Sequence, residues 1–187
     1  MIDPREAKVG VFGLQGSGKT YYARELVKRN NLKVLVYSPH RHDFDEEPDN
    51  FYFWEGFSVE RDDVDIFLRY AKRLCQKGVI DGVLMDEFDM LFRNAFELGP
   101  TAIDVIANHR HYGMCLIALS RRPQDIPAYF VESCKFLVVF ALQGENVRSK
   151  LNGIYKGFGD AVLDLDYESH AYLLKQIGKP PQQLEKV

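Results

Sequence analysis

Residues 13–20 read Gly13-Leu14-Gln15-Gly16-Ser17-Gly18-Lys19-Thr20, and this stretch decides the fold. It satisfies G-x-x-x-x-G-K-[ST], the phosphate-binding P-loop pattern, whose fixed positions each have a mechanical reason. Gly13 and Gly18 permit a backbone path that side chains would block. Successive N–H groups, those of Gly16 and Ser17 included, then turn inward toward phosphate oxygens. Lys19 reaches the β- and γ-phosphates, and Thr20 offers a hydroxyl to Mg²⁺. Upstream, Lys8–Phe12 reads as a short buried strand; downstream, 19–30 reads as a helix. The loop therefore brings phosphates to a helix N-terminus, where free N–H groups and the helix dipole favour anions.

Outward from this loop, strand and helix patterns alternate, the mark of parallel βαβ units. Strands are expected at 33–37, 51–54, 79–85, 114–119 and 135–142. Helices are expected at 61–76, where apolar residues recur at helical spacing, and at 101–111, 126–133 and 144–155. Segments 161–166 and 171–176 alternate around Tyr167-Glu168-Ser169 and predict a terminal hairpin. The expected fold is α/β: a P-loop NTPase with a central, mostly parallel sheet flanked by helices and a C-terminal β-hairpin. Residues 1–177 form the expected domain, and 178–187 a polar tail that frays.

Composition narrows the class. The 187 residues suffice for one domain with a full core. A net charge of −3 announces no global basic field, although a local basic channel needs only a patch. Cys75, Cys115 and Cys134 are widely spaced within apolar segments and read as buried, reduced thiols. The longest apolar run, 136–142, is far too short to span a bilayer. With the first strand beginning so early, no signal peptide is expected, and the chain reads as soluble and cytoplasmic.

The chemistry lies at two further strand ends. Leu84-Met85-Asp86-Glu87 closes an apolar strand with two acids. An aspartate there suits Mg²⁺, and the following carboxylate can accept a proton from attacking water. This favours hydrolysis over phosphate transfer, and the lack of an Asn-Lys-x-Asp guanine element favours ATP. Ser120 ends another strand, and parallel sheets bind ligands at their carboxyl edges. It reads equally as a contact to the γ-phosphate or its water and as a turn residue before Arg121-Arg122-Pro123. Arg110, in Asn108-His109-Arg110-His111-Tyr112-Gly113, sits near a helix end, where the dipole alone would favour it.

In this order, these elements resemble the HerA/FtsK superfamily of DNA-pumping ATPases. The resemblance runs over about residues 8–176. It implies that Gly13–Thr20 is the Walker A loop, and that Asp86 and Glu87 are the Walker B metal residue and general base. Ser120-Arg121-Arg122-Pro123 resembles the family's sensor motif, with Arg121 where glutamine is usual. Arg110 matches a position that sends an arginine into a neighbour's site; Arg122 is the next candidate. The compact chain is most similar to genome-packaging ATPases of tailless internal-membrane icosahedral viruses, of the Sulfolobus turreted icosahedral virus type.

That resemblance implies ATP and Mg²⁺, double-stranded DNA, a homo-oligomeric ring of pentameric or hexameric form, and docking to capsid or internal-membrane proteins without membrane insertion. Candidate DNA contacts are Arg41, His42, Arg93, Lys150 and Lys156, each of which also reads as an ordinary solvated charge. The alternatives are a Zot-like assembly ATPase with no DNA role and, further off, a small-molecule kinase.

Overall fold

The computed structural model describes residues 2–44, 49–92 and 98–185. Eight strands make one sheet: β1 (Lys8–Phe12), β2 (Val34–Tyr37), β3 (Phe51–Phe53), β4 (Gly82–Met85), β5 (Cys115–Ser120), β6 (Phe136–Phe140), β7 (Tyr172–Gln176) and β8 (Gln182–Leu184). Their order is β3-β2-β4-β5-β1-β6-β7-β8. The first six are parallel, while β7 and β8 continue the sheet antiparallel.

The central strands are buried on both faces, which is why they read as unbroken apolar runs rather than alternating ones. Alternation still sorts their side chains. Val9, Val11, Val34, Val36, Ile117 and Leu119 join one cluster, and Phe12, Leu35, Tyr37, Leu116 and Ala118 join the other. Helix α1 (Lys19–Arg29) covers the first face with Tyr22, Ala23, Leu26 and Val27, a spacing that forms one helical stripe. Helices α2 (Arg61–Gln76) and α3 (Pro100–Asn108) pack on the second face. Asp65 of α2 caps α3, its Oδ1 accepting N–H bonds from Thr101 (2.7 Å) and Ala102 (3.0 Å). Helices α4 (Ala128–Glu132), α5 (Glu145–Ile154) and α6 (Phe158–Leu163) complete that layer.

The C-terminal region departs from expectation in detail. A hairpin is present, but it is β7–β8. Residues 158–163 are helical, because Phe158, Ala161, Val162 and Leu165 follow helical rather than alternating spacing, and Gly157 begins the turn at φ 79°. Tyr167-Glu168-Ser169 therefore links helix to strand. Residues 182–184, expected to fray, pair with Tyr172–Leu174. The expected 101–111 helix ends at Asn108 and tightens into a 3₁₀ turn, His109–Tyr112, closed by left-handed Gly113.

Candidate nucleotide site

Sheet order explains how distant segments meet. β5 lies between β1 and β4, so their carboxyl ends set Gly13, Ser120 and Asp86 side by side. The Gly13 N–H donates to the Ser120 carbonyl at 3.2 Å, and the Leu14 N–H to the Ala141 carbonyl at 3.1 Å, tying the loop to β5 and to the end of β6.

Within the loop, Gly16 and Gly18 have φ of 76° and 104°, values that L side chains adopt only under strain. A Cβ on Gly13 would sit 2.5 Å from Ser17 Oγ and 2.7 Å from Phe140 Cβ. The Ser17 hydroxyl is buried and has no hydrogen-bond partner. An orphaned buried donor facing a glycine-lined bend fits a triphosphate, whose oxygens would supply the acceptor. Lys19 is buried, and its Nζ donates to the Leu14 carbonyl at 2.8 Å. Burial lowers its pKa to about 8 against the attraction of Asp86 and Glu87, and Arg121 acts in the same direction as burial.

A loop not expected here covers the phosphate loop. Tyr167 donates its phenolic proton to the Gln15 carbonyl at 2.7 Å, and the His170 Nδ1–H donates to the Ser17 carbonyl at 3.2 Å. No spacing in the sequence ties residues so far apart; only the antiparallel return of β7 beside β6 does.

The acid pair is buried. Asp86 Oδ1 accepts the Glu87 N–H at 2.8 Å, and Oδ2 accepts the Ser38 hydroxyl at 3.0 Å. Burial holds the Asp86 carboxyl above the usual carboxylate range, partly opposed by these two hydrogen bonds. A carboxylate placed this way gains from a cation, and together with the Thr20 hydroxyl it fits a hydrated Mg²⁺. Among the described residues, no group of three or more His, Cys, Asp or Glu side chains could by itself hold a metal. The donor set thus suits an ion held largely by phosphates and water.

Glu87 stands in left-handed backbone, φ 48°, unusual for a residue with a side chain. Arg121 holds it, through Nε at 3.1 Å and through a terminal nitrogen 2.9 Å from the carboxylate. His40 Nε2 lies 3.9 Å from Glu87 Oε1. Ser120 is buried and donates its hydroxyl to Asp89 Oδ1 at 2.5 Å while accepting the Arg122 N–H at 2.9 Å. These are the contacts of a turn residue. Ser38, His40 and Asp89 had not been expected. Ser38 and His40 follow a strand end, and Asp89 lies two residues past Glu87, so strand-end position was the available signal.

The other arginines lie elsewhere. Arg122 is exposed and pairs with Asp125 at 3.6 Å. Arg110 is exposed in the turn that precedes β5, electrostatically close to Lys8 and His109. It therefore stands at the amino edge of the sheet, the six-residue length of β5 (about 20 Å) from the phosphate loop of its own chain. Among the candidate DNA contacts, His42 instead lines a cleft of about 500 Å³ with Gly18, Lys19, Thr20 and Arg24. The Arg41 guanidinium lies over the Phe53 ring, and Lys150 donates to the Ile126 carbonyl. Arg93 is outside the described residues.

The fold and this site define the class: a P-loop nucleotide-binding α/β domain. No family model matches the chain, and no curated protein matches it in sequence. Solved structures do match in fold. The genome-packaging NTPase B204 of Sulfolobus turreted icosahedral virus 2, in complex with ATPγS, superposes with a TM-score of 0.83 at 14% identity, covering 100% of both chains. The pCW3 conjugation coupling protein TcpA superposes at 0.66 and 13% identity, over 97% of this chain and 60% of its own. The cytoplasmic domain of the type VII secretion ATPase EccC from Thermomonospora curvata gives 0.66 and 13%, over 96% of this chain and 25% of its own. The fold implied by the resemblance is the fold observed. Among the described residues, no helix is long and apolar enough to cross a membrane.

Proposed function

We propose that this chain is an ATP-hydrolysing motor that moves double-stranded DNA as a pentameric or hexameric homo-oligomeric ring, packaging a viral genome into a preformed capsid. One observation carries the reading. The Asp86-Glu87 pair stands across the Ser120 strand from Lys19, in a chain that matches a viral packaging NTPase over its whole length.

In this reading the N–H groups from Gly16 to Thr20 and the Lys19 ammonium hold the triphosphate. Mg²⁺, held by Thr20 and, through water, by Asp86, would supply neutralising charge at the phosphates. Glu87 takes the proton of the attacking water. Ser120 acts from between them by fixing Asp89 and the start of the Arg121-Arg122 turn. Arg110, remote from its own phosphate loop, completes the site of an adjacent subunit, where a guanidinium suits charge spread over the γ-phosphoryl oxygens. Residues 1–177 act as the motor unit and 178–187 as its appendage, working in the host cytoplasm and docking on capsid or internal-membrane proteins.

The test is phosphate release with no added acceptor, with and without duplex DNA, across protein concentration. The reading expects activity per subunit to rise with concentration and to be stimulated by duplex DNA of any sequence, less so as salt rises. A requirement for an acceptor would make the chain a kinase. Assembled rings indifferent to DNA at low salt would make it an assembly ATPase.

A further inference from the structure

Arg121 occupies the position where the resembled family usually carries glutamine, and the substitution changes what Glu87 can do. Its Nε and a terminal nitrogen both reach the Glu87 carboxylate, and Glu87 is buried. Both hydrogen bonds fall on Oε2, and the terminal nitrogen also lies 2.9 Å from Oε1, a charge-assisted pairing of the stronger kind. The guanidinium thus competes with a water for the carboxylate that would accept its proton. The backbone of Glu87 adds a second sign. A non-glycine residue at φ 48° is unusual and persists only where its surroundings enforce it.

The same guanidinium lies near the phosphate side of the site. Arg121 follows Ser120 at the carboxyl end of β5, the strand between the Lys19 loop and Glu87. It is close enough to the Lys19 ammonium to disfavour that charge, after the larger effect of burial. Lys19, Arg121, Asp86, Glu87 and Asp89 thus share one small volume in which acids outnumber bases. A triphosphate brings several further negative charges beside Lys19, and the Arg121 side chain, 44% exposed, is not enclosed on every side by protein.

We infer that Arg121 exchanges partners during the reaction: it clamps Glu87 in the nucleotide-free and ADP-bound protein and moves to the γ-phosphoryl group when ATP binds, freeing Glu87 for the water. This rests on the ATPase reading above. Arg121 would then touch substrate only in the ATP state, which makes hydrolysis conditional on a bound γ-phosphate.

The experiment measures the affinities of ADP and of a non-hydrolysable ATP analogue by calorimetry. The proteins are wild type, Arg121→Ala, Glu87→Gln, the double variant and Lys19→Ala. In the Glu87→Gln background, which has no carboxylate to clamp, Arg121→Ala is expected to weaken the ATP analogue about tenfold or more and to leave ADP within about twofold. An equal effect on both nucleotides would overturn the inference, because Arg121 would then act only through Glu87 or through the fold. Thermal midpoints of the four Arg121/Glu87 combinations provide the second arm. Their shifts are expected to be non-additive without nucleotide and with ADP, and additive with the analogue bound. Non-additivity of equal size in every state would also overturn it. Wild type binding neither nucleotide, or Lys19→Ala binding as well as wild type, would instead refute the ATP-binding reading itself.

Discussion

The two edges of the parallel sheet handle buried polarity in opposite ways. At the carboxyl edge six buried polar side chains, Ser17, Lys19, Asp86, Glu87, Asp89 and Ser120, crowd together. One of their hydroxyls lacks a partner, and one residue stands in left-handed backbone. At the amino edge, burial is matched partner by partner. Lys8 Nζ donates to Ser133 Oγ at 2.8 Å, and the His109 Nδ1–H donates to the Met114 carbonyl at 2.9 Å. One edge keeps polar capacity unspent, and the other spends it on closure. Unspent capacity at a buried edge opposes stability, so it marks where a ligand completes the molecule.

The sharpest challenge to this contrast is Arg110, the amino-edge residue to which a chemical role is assigned. Arg110→Ala is expected to bind ATP with wild-type affinity and to keep its thermal midpoint, while turnover of the assembled protein falls by about 10³–10⁵. Mixing it with Lys19→Ala subunits should restore part of the activity, because an intact loop then meets an intact arginine at some interfaces. Phosphate release from rings verified as mixed checks this, and no recovery would remove Arg110 from the site.

Next in size is Glu87→Gln, which should bind ATP yet lose about 10²–10⁴ in turnover. Near-normal steady-state hydrolysis by this variant would place the base elsewhere at the carboxyl edge.

The third prediction concerns pH. Burial brings the pKa of Lys19 down to about 8, and phosphates bound beside it raise it again. Binding therefore takes up a proton above pH 8. The nucleotide Kd should be flat below that value and weaken by up to about tenfold per unit above it. In the free protein the sign for folding is opposite. Between pH 8 and the ordinary lysine range the unfolded chain holds more protons, so this lysine's penalty to stability fades as pH rises. Titrating Kd by calorimetry in wild type and Lys19→Met isolates the effect, and an equal pH dependence in both would refute it.

The smallest effect tests the amino edge as a structural edge. Gly82 opens β4 so close to β5 that an added Cβ would lie 2.2 Å from the Cys115 carbonyl oxygen. Gly82→Ala should cost about 1–3 kcal/mol, lowering the thermal midpoint by about 2–12 °C. Nucleotide affinity measured below that midpoint should not change. A loss of affinity without a loss of stability would erase the distinction between the edges.

Legibility in the sequence followed the same division. The phosphate loop and Asp86-Glu87 were readable because local chemistry fixes their residue types, and the central parallel strands because both faces of each are buried. The helix at 158–163 was not, since a short segment of mixed spacing suits either period until its packing is known. The contacts from Tyr167 and His170 to the loop depend on β7 returning beside β6, a tertiary fact with no local trace. Arg121 was readable as a departure from a familiar motif, but its partner was not. That partner was set by β5 lying between β1 and β4.

Arg110 and the phosphate loop lie at opposite ends of the same parallel strands, and this gives the molecule a direction. A twofold contact can deliver an arginine only reciprocally, with the two copies antiparallel and each amino edge beside the other's carboxyl edge, and it closes at two subunits. The ring proposed above needs instead a heterologous contact, the front of one copy against the back of the next. Such contacts never satisfy both partners of a pair, and each addition leaves the same two unlike surfaces free. Rotation per step then decides between closure into a cycle and growth into a filament, so the number of subunits is a property of an angle at the interface rather than of either edge alone.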